Sequence, residues 1–269
     1  MMIGGAEDKV KAKRILTRFV RLAGGPQAHI AVVSTASQLG PEAADAYAGI
    51  FQELGAASVQ TLHPMERHEA EGPEMPASLV GASGVFLTGG NQLRLTSVVA
   101  GTRLGSAIHL AHDRGALVAG TSAGASAMAG HMMAFGDPGA TPRHGHVQLA
   151  AGLGLVPDVV VDQHFEQRTR LGRLLAAISQ SPSLIGIGLD EDTAAIVYAD
   201  RSLEVVGRGA VTVVDGSNVR TDAHRLRGRR PMMVSGVILH SIPEGYWFDL
   251  RQRALIDDQA PVQLREVSE

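Results

Sequence analysis

Residues 116–125 read ALVAGTSAGA, and this stretch decides the fold. Its first four residues form a short apolar run of the kind that is buried in a parallel sheet, and small residues follow it directly. Similar apolar runs alternate with helical patterns through most of residues 10–190, for example the run His29–Ser34 before the helical pattern Pro41–Leu54. A repeating order of strand, helix and strand is typical of βαβ crossovers. We therefore predict an α/β fold with a doubly wound, mostly parallel sheet and helices on both faces.

The last third of the chain has a different pattern, in which short strand candidates follow one another with short polar links. Such a pattern predicts an antiparallel extension of the sheet rather than further crossovers. No long linker or low-complexity segment divides the chain, so we predict a single domain over residues 1–269, with about the last 19 residues as a surface element. The strand candidates are Ile185–Gly188, Ala194–Tyr198, Leu203–Val206, Val211–Val214 and Val234–Leu239.

Composition excludes several classes of protein. The chain has 269 residues, a net charge of −3 and no cysteine, so a thiol nucleophile and a Cys-ligated metal are both excluded. The balanced charge gives no reason to expect a nucleic-acid partner. The start of the chain lacks the apolar stretch of a signal peptide, and no run reaches the roughly 20 apolar residues that span a bilayer. We therefore expect a cytoplasmic protein that does not associate with membranes.

Metal and cofactor patterns are also missing. His109 and His112 have the spacing of one helical face, and His144 and His146 lie in a Gly/Pro loop, but neither pair has the companion ligands of a zinc site. No segment has the three glycines of a dinucleotide fingerprint. We expect neither a metal nor another cofactor.

The segment Gly120–Gly124 matches the pattern G-x-S-x-G between a strand and a helix predicted over residues 123–130. Small neighbours allow a tight turn that pushes the Ser122 side chain out of the sheet. The backbone N–H of Ala123, at the helix N-terminus, would face the same way and could stabilise an oxyanion. Ser122 is therefore a candidate nucleophile. The alternative is a serine that only caps the helix.

Two further candidates follow predicted strands. His164 comes directly after the strand candidate Val159–Gln163, and Gly90 ends a Gly-Gly pair after another strand. Functional groups gather at the carboxyl ends of parallel strands, so we expect both near Ser122. His164 would serve as general base, and the N–H of Gly90 as a second oxyanion donor beside a polar contact from Gln92. The alternatives are a structural histidine and an ordinary Gly-Gly-Asn turn.

Three arginines follow His164 in or near the predicted helix: Arg168, Arg170 and Arg173. Its apolar stripe predicts that Arg170 and Arg173 point away from the core. Because guanidinium groups bind carboxylates bidentately, the three arginines predict a substrate with free carboxylates. The alternative is a solvated basic face. A second basic run, over residues 225–230, is interpreted as a solvated loop.

Together and in this order, several segments resemble the cyanophycinase family of serine peptidases, a group that also includes aspartyl dipeptidase. The resemblance spans nearly the whole chain, and residues 162–175 are its most specific part. The segments are residues 3–9, 86–94, 120–125, 147–155, 162–175 and 186–194.

The resemblance implies hydrolysis of cyanophycin, a poly-aspartate whose β-carboxyls carry arginine through isopeptide bonds, with release of β-Asp-Arg dipeptides. It also implies a class I glutamine-amidotransferase-like fold and a homodimer. Carried over to this sequence, it makes Ser122 the nucleophile, His164 the base and Glu191 the acid that orients it, with the N–H groups of Gly90 and Ala123 as the oxyanion hole. The implied substrate-binding residues are Gln92, Asp162, Gln163, Arg168, Arg170 and Arg173, with Asp162 as a candidate partner for substrate guanidinium groups.

Three other functions remain open. A related peptidase acting on short aspartyl or isoaspartyl peptides could share the same active-site core without needing the arginine cluster. A binding protein could use the scaffold without catalysis. A conventional α/β-hydrolase esterase would take its base from a late histidine, such as His224 or His240.

Overall fold

The apolar runs of the sequence form the strands of two sheets in the computed structural model, which describes residues 1–256. The helices are α1 (Arg14–Leu22), α2 (Pro41–Glu53), α3 (Arg67–Ala70), α4 (Glu74–Ala77), α5 (Gln92–Val99), α6 (Arg103–Asp113), α7 (Ala123–Met128) and α8 (Leu171–Gln180). The strands are β1 (Met2–Ile3), β2 (His29–Val33), β3 (Ser58–Leu62), β4 (Gly84–Leu87), β5 (Leu117–Thr121), β6 (Ala129–Gly136), β7 (Val147–Ala151), β8 (Val156–Gln163), β9 (Ile185–Leu189), β10 (Thr193–Val197), β11 (Ser202–Gly207), β12 (Ala210–Asp215), β13 (Arg220–Thr221), β14 (Val234–Ser235), β15 (Ile238–Pro243), β16 (Trp247–Asp249) and β17 (Ala254–Ile256).

The larger sheet has the order β17-β16-β11-β10-β1-β5-β4-β2-β3. Strands β1, β5, β4, β2 and β3 run parallel, as the βαβ pattern predicted. The other four continue the sheet in antiparallel pairs. β1 lies at the boundary, because it pairs in parallel with β5 and antiparallel with β10.

The second sheet has the order β15-β12-β9-β8-β6-β7. Strands β6, β8 and β9 are parallel, and α8 connects β8 to β9. β9 lies at the boundary of the second sheet, because it pairs in parallel with β8 and antiparallel with β12. The predicted antiparallel extension therefore begins at β9, and β10, β11 and β12 continue it in antiparallel pairs. The helix predicted over residues 123–130 ends at Met128, and residue 129 already begins β6.

The hydrophobic core follows the alternation of side chains along the strands. In β2, Ala31 and Val33 face a core that both sheets share with α5, α6 and α7. Ile30 and Val32 face α1 and α2 on the other side of the larger sheet. Helix α8 covers the far face of the second sheet through Leu174 and other apolar residues. The predicted α/β class, with helices on both faces of a parallel core, is confirmed.

The spacing of apolar residues is helical from Val10 onward, but α1 does not begin there. The carboxylate of Asp8 accepts hydrogen bonds from the four backbone N–H groups of residues 10–13, and the helix begins only at Arg14. These hydrogen bonds, led by the one from Lys11, hold the pKa of Asp8 well below its usual value. The segment is therefore a closed loop beside the end of β1.

Two predictions concern membrane-spanning helices and the C-terminal end of the chain. Among residues 1–256, no helix combines the length and the hydropathy needed to cross a membrane. The surface element predicted for the last 19 or so residues falls mostly on residues 257–269, outside the described residues.

Candidate active site

Ser122 occupies a tight turn between β5 and α7. Its backbone has φ 51° and ψ −110°, a conformation that residues other than glycine rarely adopt and that is found where structure imposes strain. A Cβ atom on Gly124 would lie only 2.3 Å from the carbonyl oxygen of Leu87, so the small residues of the G-x-S-x-G pattern let α7 start against β4. The turn therefore has the strained geometry that the pattern predicted.

Three predicted residues come together at this turn. Ser122 Oγ lies 2.9 Å from His164 Nε2, and His164 Nδ1 lies 2.6 Å from Glu191 Oε1. An ionised carboxylate can only accept, so Nδ1 donates to it and Nε2 is left to accept the hydroxyl proton. The geometry allows a proton to move from Ser122 to His164.

The three residues come from both sheets. Ser122 follows β5 of the larger sheet, whereas His164 and Glu191 follow β8 and β9 of the second sheet. The expectation that Ser122 and His164 share one sheet edge is therefore wrong, because the carboxyl ends of two sheets meet here. The late histidines of the esterase alternative lie elsewhere: His240 packs on Phe248 at 4.9 Å between ring centroids, and His224 contacts Arg225.

Burial lowers the pKa of His164 below its ordinary value. The positive charges of Arg168 and Arg170 lower it further, while Glu191 acts in the opposite direction through its hydrogen bond and its charge. The His164 side chain is 11 % exposed, and that of Glu191 is 36 % exposed. The imidazole is therefore neutral near pH 7, which is the form that accepts a proton.

The end of β1 holds all three turns in place. Three consecutive carbonyl oxygens accept one backbone N–H each: Ile3 from Ser122, Gly4 from His164 and Gly5 from Asp192, all at 2.9 Å. Asp192 directly follows Glu191 in the chain. One short strand thus fixes the relative positions of the three side chains, a role that no pattern in the sequence indicated.

Gly5 also contacts the histidine ring. A Cβ atom at this position would lie 2.5 Å from His164 Cε1 and 3.2 Å from the Ser122 Cβ. The Gly5 φ of +95° is in addition a left-handed conformation that favours glycine. Only glycine leaves the ring where it is.

The two predicted oxyanion donors border Ser122. Ala123 is the first residue of α7, so its N–H has no intrahelical acceptor. Within residues 1–256 the N–H of Gly90 has no hydrogen-bond partner, and its loop runs against the nucleophile, since a Cβ atom on Gly89 would lie 3.4 Å from Ser122 Cβ. Both N–H groups are therefore available to a developing negative charge.

Asp162, Arg170 and Arg173 form a buried ionic cluster behind His164. Asp162 is 0 % exposed, and its carboxylate accepts from Arg173 Nε at 2.6 Å and from Arg170 Nη1 at 3.2 Å. The prediction that Arg170 and Arg173 point away from the core is wrong, because the carboxylate inside compensates the burial of their charge. Burial still lowers the pKa of Arg170, to about 10. Arg170 also donates to the backbone carbonyl of Gln163, so the cluster supports the end of β8.

The remaining predicted binding residues differ in whether their polar groups already have a hydrogen-bond or salt-bridge partner. Arg168 is exposed, and no acidic group within residues 1–256 forms a salt bridge with it. The side-chain oxygen of Gln163 is buried beside His164 without a hydrogen-bond partner among the described residues. The side-chain nitrogen of Gln92, by contrast, already donates to the carbonyl of Met133 at 2.8 Å. In the part of the chain that the structure describes, Arg168 thus has an accessible free guanidinium, Gln163 has an unpartnered oxygen that is buried, and Gln92 ties α5 to β6.

Sequence reasoning assigned no role to Glu7, a buried acid next to the nucleophile turn. Its carboxylate accepts from Thr121 Oγ1 at 2.6 Å and from the hydroxyl of Tyr47, and Lys9 Nζ lies 3.7 Å away. Burial and the Glu7 charge raise the pKa of Tyr47 well above 10. Thr121 precedes Ser122, so Glu7 helps to fix the turn. An isolated acid in a loop gives no periodic signal that could have identified it.

A cleft of about 750 Å³ adjoins Glu191. Side chains of both charges line it, among them Lys11, Arg208, Asp8 and Glu166. Among the described residues no group of three or more His, Asp or Glu side chains is arranged to hold a metal ion.

Comparison with known proteins identifies the family of this chain. Residues 1–206 match the family model described as Peptidase family S51. The cyanophycinase of Nostoc sp. is 43 % identical over 258 residues, which cover 95 % of this chain and 87 % of the relative. The cyanophycinase of Geminocystis herdmanii is 40 % identical over 247 residues, 91 % of each chain.

Solved structures support the fold. A peptidase from an acI-B1 Actinobacterium superimposes with a TM-score of 0.63 at 21 % identity, covering 89 % of this chain and 95 % of that one. A putative peptidase E from Listeria monocytogenes gives a TM-score of 0.50 at 18 % identity, covering 72 % and 92 %. These likenesses agree with the class I glutamine-amidotransferase-like fold implied by the sequence. From the family match and the identity with its relatives, the chain belongs to peptidase family S51 and is a serine-type peptidase.

Proposed function

We propose that this peptidase hydrolyses cyanophycin to β-Asp-Arg dipeptides through an acyl-enzyme on Ser122. One observation carries the proposal: Ser122, His164 and Glu191 form a continuous hydrogen-bonded series in a chain that is 40–43 % identical to cyanophycinases over more than 90 % of its length. A homodimer and a cytoplasmic location remain predictions.

In the first half of the reaction Ser122 Oγ attacks the scissile carbonyl carbon. His164 Nε2 takes the hydroxyl proton, and Glu191 stabilises the imidazolium that forms. The N–H groups of Gly90 and Ala123 hold the oxyanion of the tetrahedral intermediate. When this intermediate collapses, the bond to the leaving amine breaks, and His164 gives the amine its proton.

In the second half water attacks the acyl-enzyme. His164 takes a proton from the water and returns it to Ser122 Oγ as the ester bond breaks. The product leaves as a carboxylate, and the enzyme regains its starting protonation state. Each half uses the same three side chains, so their spacing must hold through the cycle.

Substrate recognition follows from the groups that remain free. Arg168 offers an exposed guanidinium to a substrate carboxylate, whereas the unpartnered oxygen of Gln163 is buried and must become accessible before it can accept from a substrate N–H group. The cleft beside Glu191 carries both charges, which suits a polymer bearing carboxylates and guanidinium groups. We propose that Asp162, Arg170 and Arg173 position the end of β8 rather than bind substrate. The carboxylate of Asp162 already accepts hydrogen bonds from the two arginines.

The proposal is tested by incubating the purified protein with cyanophycin and, separately, with free isoaspartyl dipeptides. Mass spectrometry should detect β-Asp-Arg released from the polymer. Cleavage of the small peptides with the polymer left intact would replace this proposal with an isoaspartyl dipeptidase. Hydrolysis of neither would favour the binding-protein alternative.

The pH dependence of kcat/KM should reflect the lowered pKa of His164. Only the neutral imidazole accepts the Ser122 proton, so the acid limb should have its midpoint below about 6.5, the reference value for histidine. Glu191→Gln should shift this midpoint to lower pH, because Glu191 raises the pKa, and Arg168→Gln should shift it to higher pH. If neither substitution shifts the midpoint of the acid limb, His164 is not the base.

Gly5→Ala should lower kcat/KM by about 100-fold, because a Cβ atom 2.5 Å from His164 Cε1 must displace the ring. Gly115→Ala is the matched control: Gly115 has φ +96° against +95° for Gly5, but its Cβ atom would meet nothing within 4 Å. Thermal unfolding of Gly115→Ala measures the loss of stability that the positive φ alone causes, and only Gly5→Ala should lose activity. Equal activity in the two variants would contradict the proposed role of Gly5.

A further inference from the structure

Two neighbouring segments of the surface carry an excess of arginine. Residues 137–146 and 220–234 together contain six arginines but only two acidic residues, Asp137 and Asp222, in a chain whose net charge is −3. All six side chains are exposed. We call them the arginine surface, and its members are Arg143, Arg220, Arg225, Arg227, Arg229 and Arg230.

The hairpin that carries most of these arginines is anchored to the core. Its strands β13 and β14 pair with each other, and Ala223 and Met232 are buried in the cluster that contains Phe165 and Leu174. Apolar side chains thus point inward, while the arginines between them point to solvent. The interpretation of residues 225–230 as a solvated loop agrees with their exposure, and the hairpin that carries this loop has a fixed position on α8.

The arginine surface is connected to the active site through residues 137–146. The N–H of His144 donates to the Arg230 carbonyl at 2.9 Å, and the N–H of Met232 donates to the Pro142 carbonyl at 2.9 Å. At the other end of this segment, the N–H of Gly139 donates to the Thr169 carbonyl at 2.7 Å. Thr169 directly follows Arg168. Backbone hydrogen bonds thus connect the segment that follows Arg168 to the segments that carry the arginine surface.

We propose that the arginine surface docks cyanophycin by binding carboxylates of polymer units beyond the one being cleaved. This inference rests on the proposed function. Each unit of the polymer carries the free α-carboxylate of its arginine on a flexible arm, and guanidinium groups bind carboxylates in a bidentate geometry. Several weak contacts along one chain raise the local concentration of its cleavable end, so docking acts on the polymer and not on a short fragment.

The test compares the polymer with a two-unit fragment, β-(Asp-Arg)₂, which has only one unit beyond the one being cleaved. Arg225, Arg227 and Arg230 are replaced together by glutamine, which leaves the ion pair between Arg229 and Asp137 intact. kcat/KM for the polymer should fall by about 10-fold, with a flatter dependence on salt, while kcat/KM for the fragment stays unchanged. The matched control replaces three exposed arginines outside this surface, Arg21, Arg114 and Arg251, by glutamine.

A second experiment measures binding to the polymer and does not depend on catalysis. The Ser122→Ala variant, with and without the three arginine substitutions, is sedimented with insoluble cyanophycin, and the substitutions should lower the bound fraction. Unchanged binding and unchanged polymer kinetics would overturn the docking surface, as would an equal loss on polymer and fragment. If the wild-type protein hydrolyses neither substrate, the proposed function fails, whereas sedimentation still decides the docking surface.

Discussion

Replacing Ser122 with alanine should lower kcat on cyanophycin by about 10⁴-fold or more, because it removes the oxygen that forms the acyl-enzyme in the proposed mechanism. The oxyanion donors and the binding groups stay in place, so the affinity for the polymer should change little. The side chain is small and the substitution keeps its Cβ atom, so thermal unfolding should also change little. Dipeptide release measured by mass spectrometry, alongside circular dichroism, gives both quantities.

The matched control is Ser106→Ala, which removes an exposed hydroxyl from α6. It should keep full activity. Combining Ser122→Ala with His164→Ala should cost no more than Ser122→Ala alone, because groups that act as a unit are not additive. A Ser122→Ala enzyme with near-normal turnover would remove the acyl-enzyme from the mechanism.

Replacing Asp162 with asparagine should lower the free energy of unfolding by about 3–5 kcal/mol, which corresponds to a fall in Tm of roughly 10 °C. The substitution keeps the shape of the side chain but removes its charge. The guanidinium groups of Arg170 and Arg173 then remain buried without a counter-ion. Thermal and urea unfolding measure the loss.

An exposed ion pair provides the comparison. Arg14 and Glu244 form a 2.6 Å pair whose side chains are 56 % and 36 % exposed, so Glu244→Gln should cost less than about 1 kcal/mol. If Asp162→Asn leaves stability unchanged and raises KM for the polymer, Asp162 contacts substrate, as the family resemblance implied. In that case the positioning role assigned to the buried cluster is wrong.

Local features of the sequence were sufficient for much of the parallel core. The short apolar run His29–Ser34 gave strand β2, which ends one residue earlier at Val33, because a continuous run of apolar residues is typical of a strand that is buried on both faces. The tight turn at Ser122 was also predictable, since small residues directly after a strand permit few other conformations. Strand β6 was missed because its first residues continue the small-residue composition of α7.

The features that the sequence did not predict depend on contacts between residues in different elements. The burial of Arg173 depends on Asp162, which lies eleven residues earlier on a strand, and an outward-facing arginine has the same local pattern. The delayed start of α1 depends on the Asp8 side chain, and the buried position of Glu7 depends on Tyr47 and Thr121. No periodicity encodes such pairings, so charged residues were predicted to face solvent.

The two-residue strand β1 has a consequence for how the enzyme is made. Met2 pairs with Gly120 on one side and with Ala195 on the other, so both partners of β1 lie far along the chain. Contacts between residues so distant in sequence are slow to form, since a long loop must close first. The turns at Ser122, His164 and Glu191 gain their common support only when that closure is complete. During synthesis the nascent polypeptide therefore holds no assembled hydrolytic centre until β10 has left the ribosome, and catalytic competence is acquired as a late event of folding.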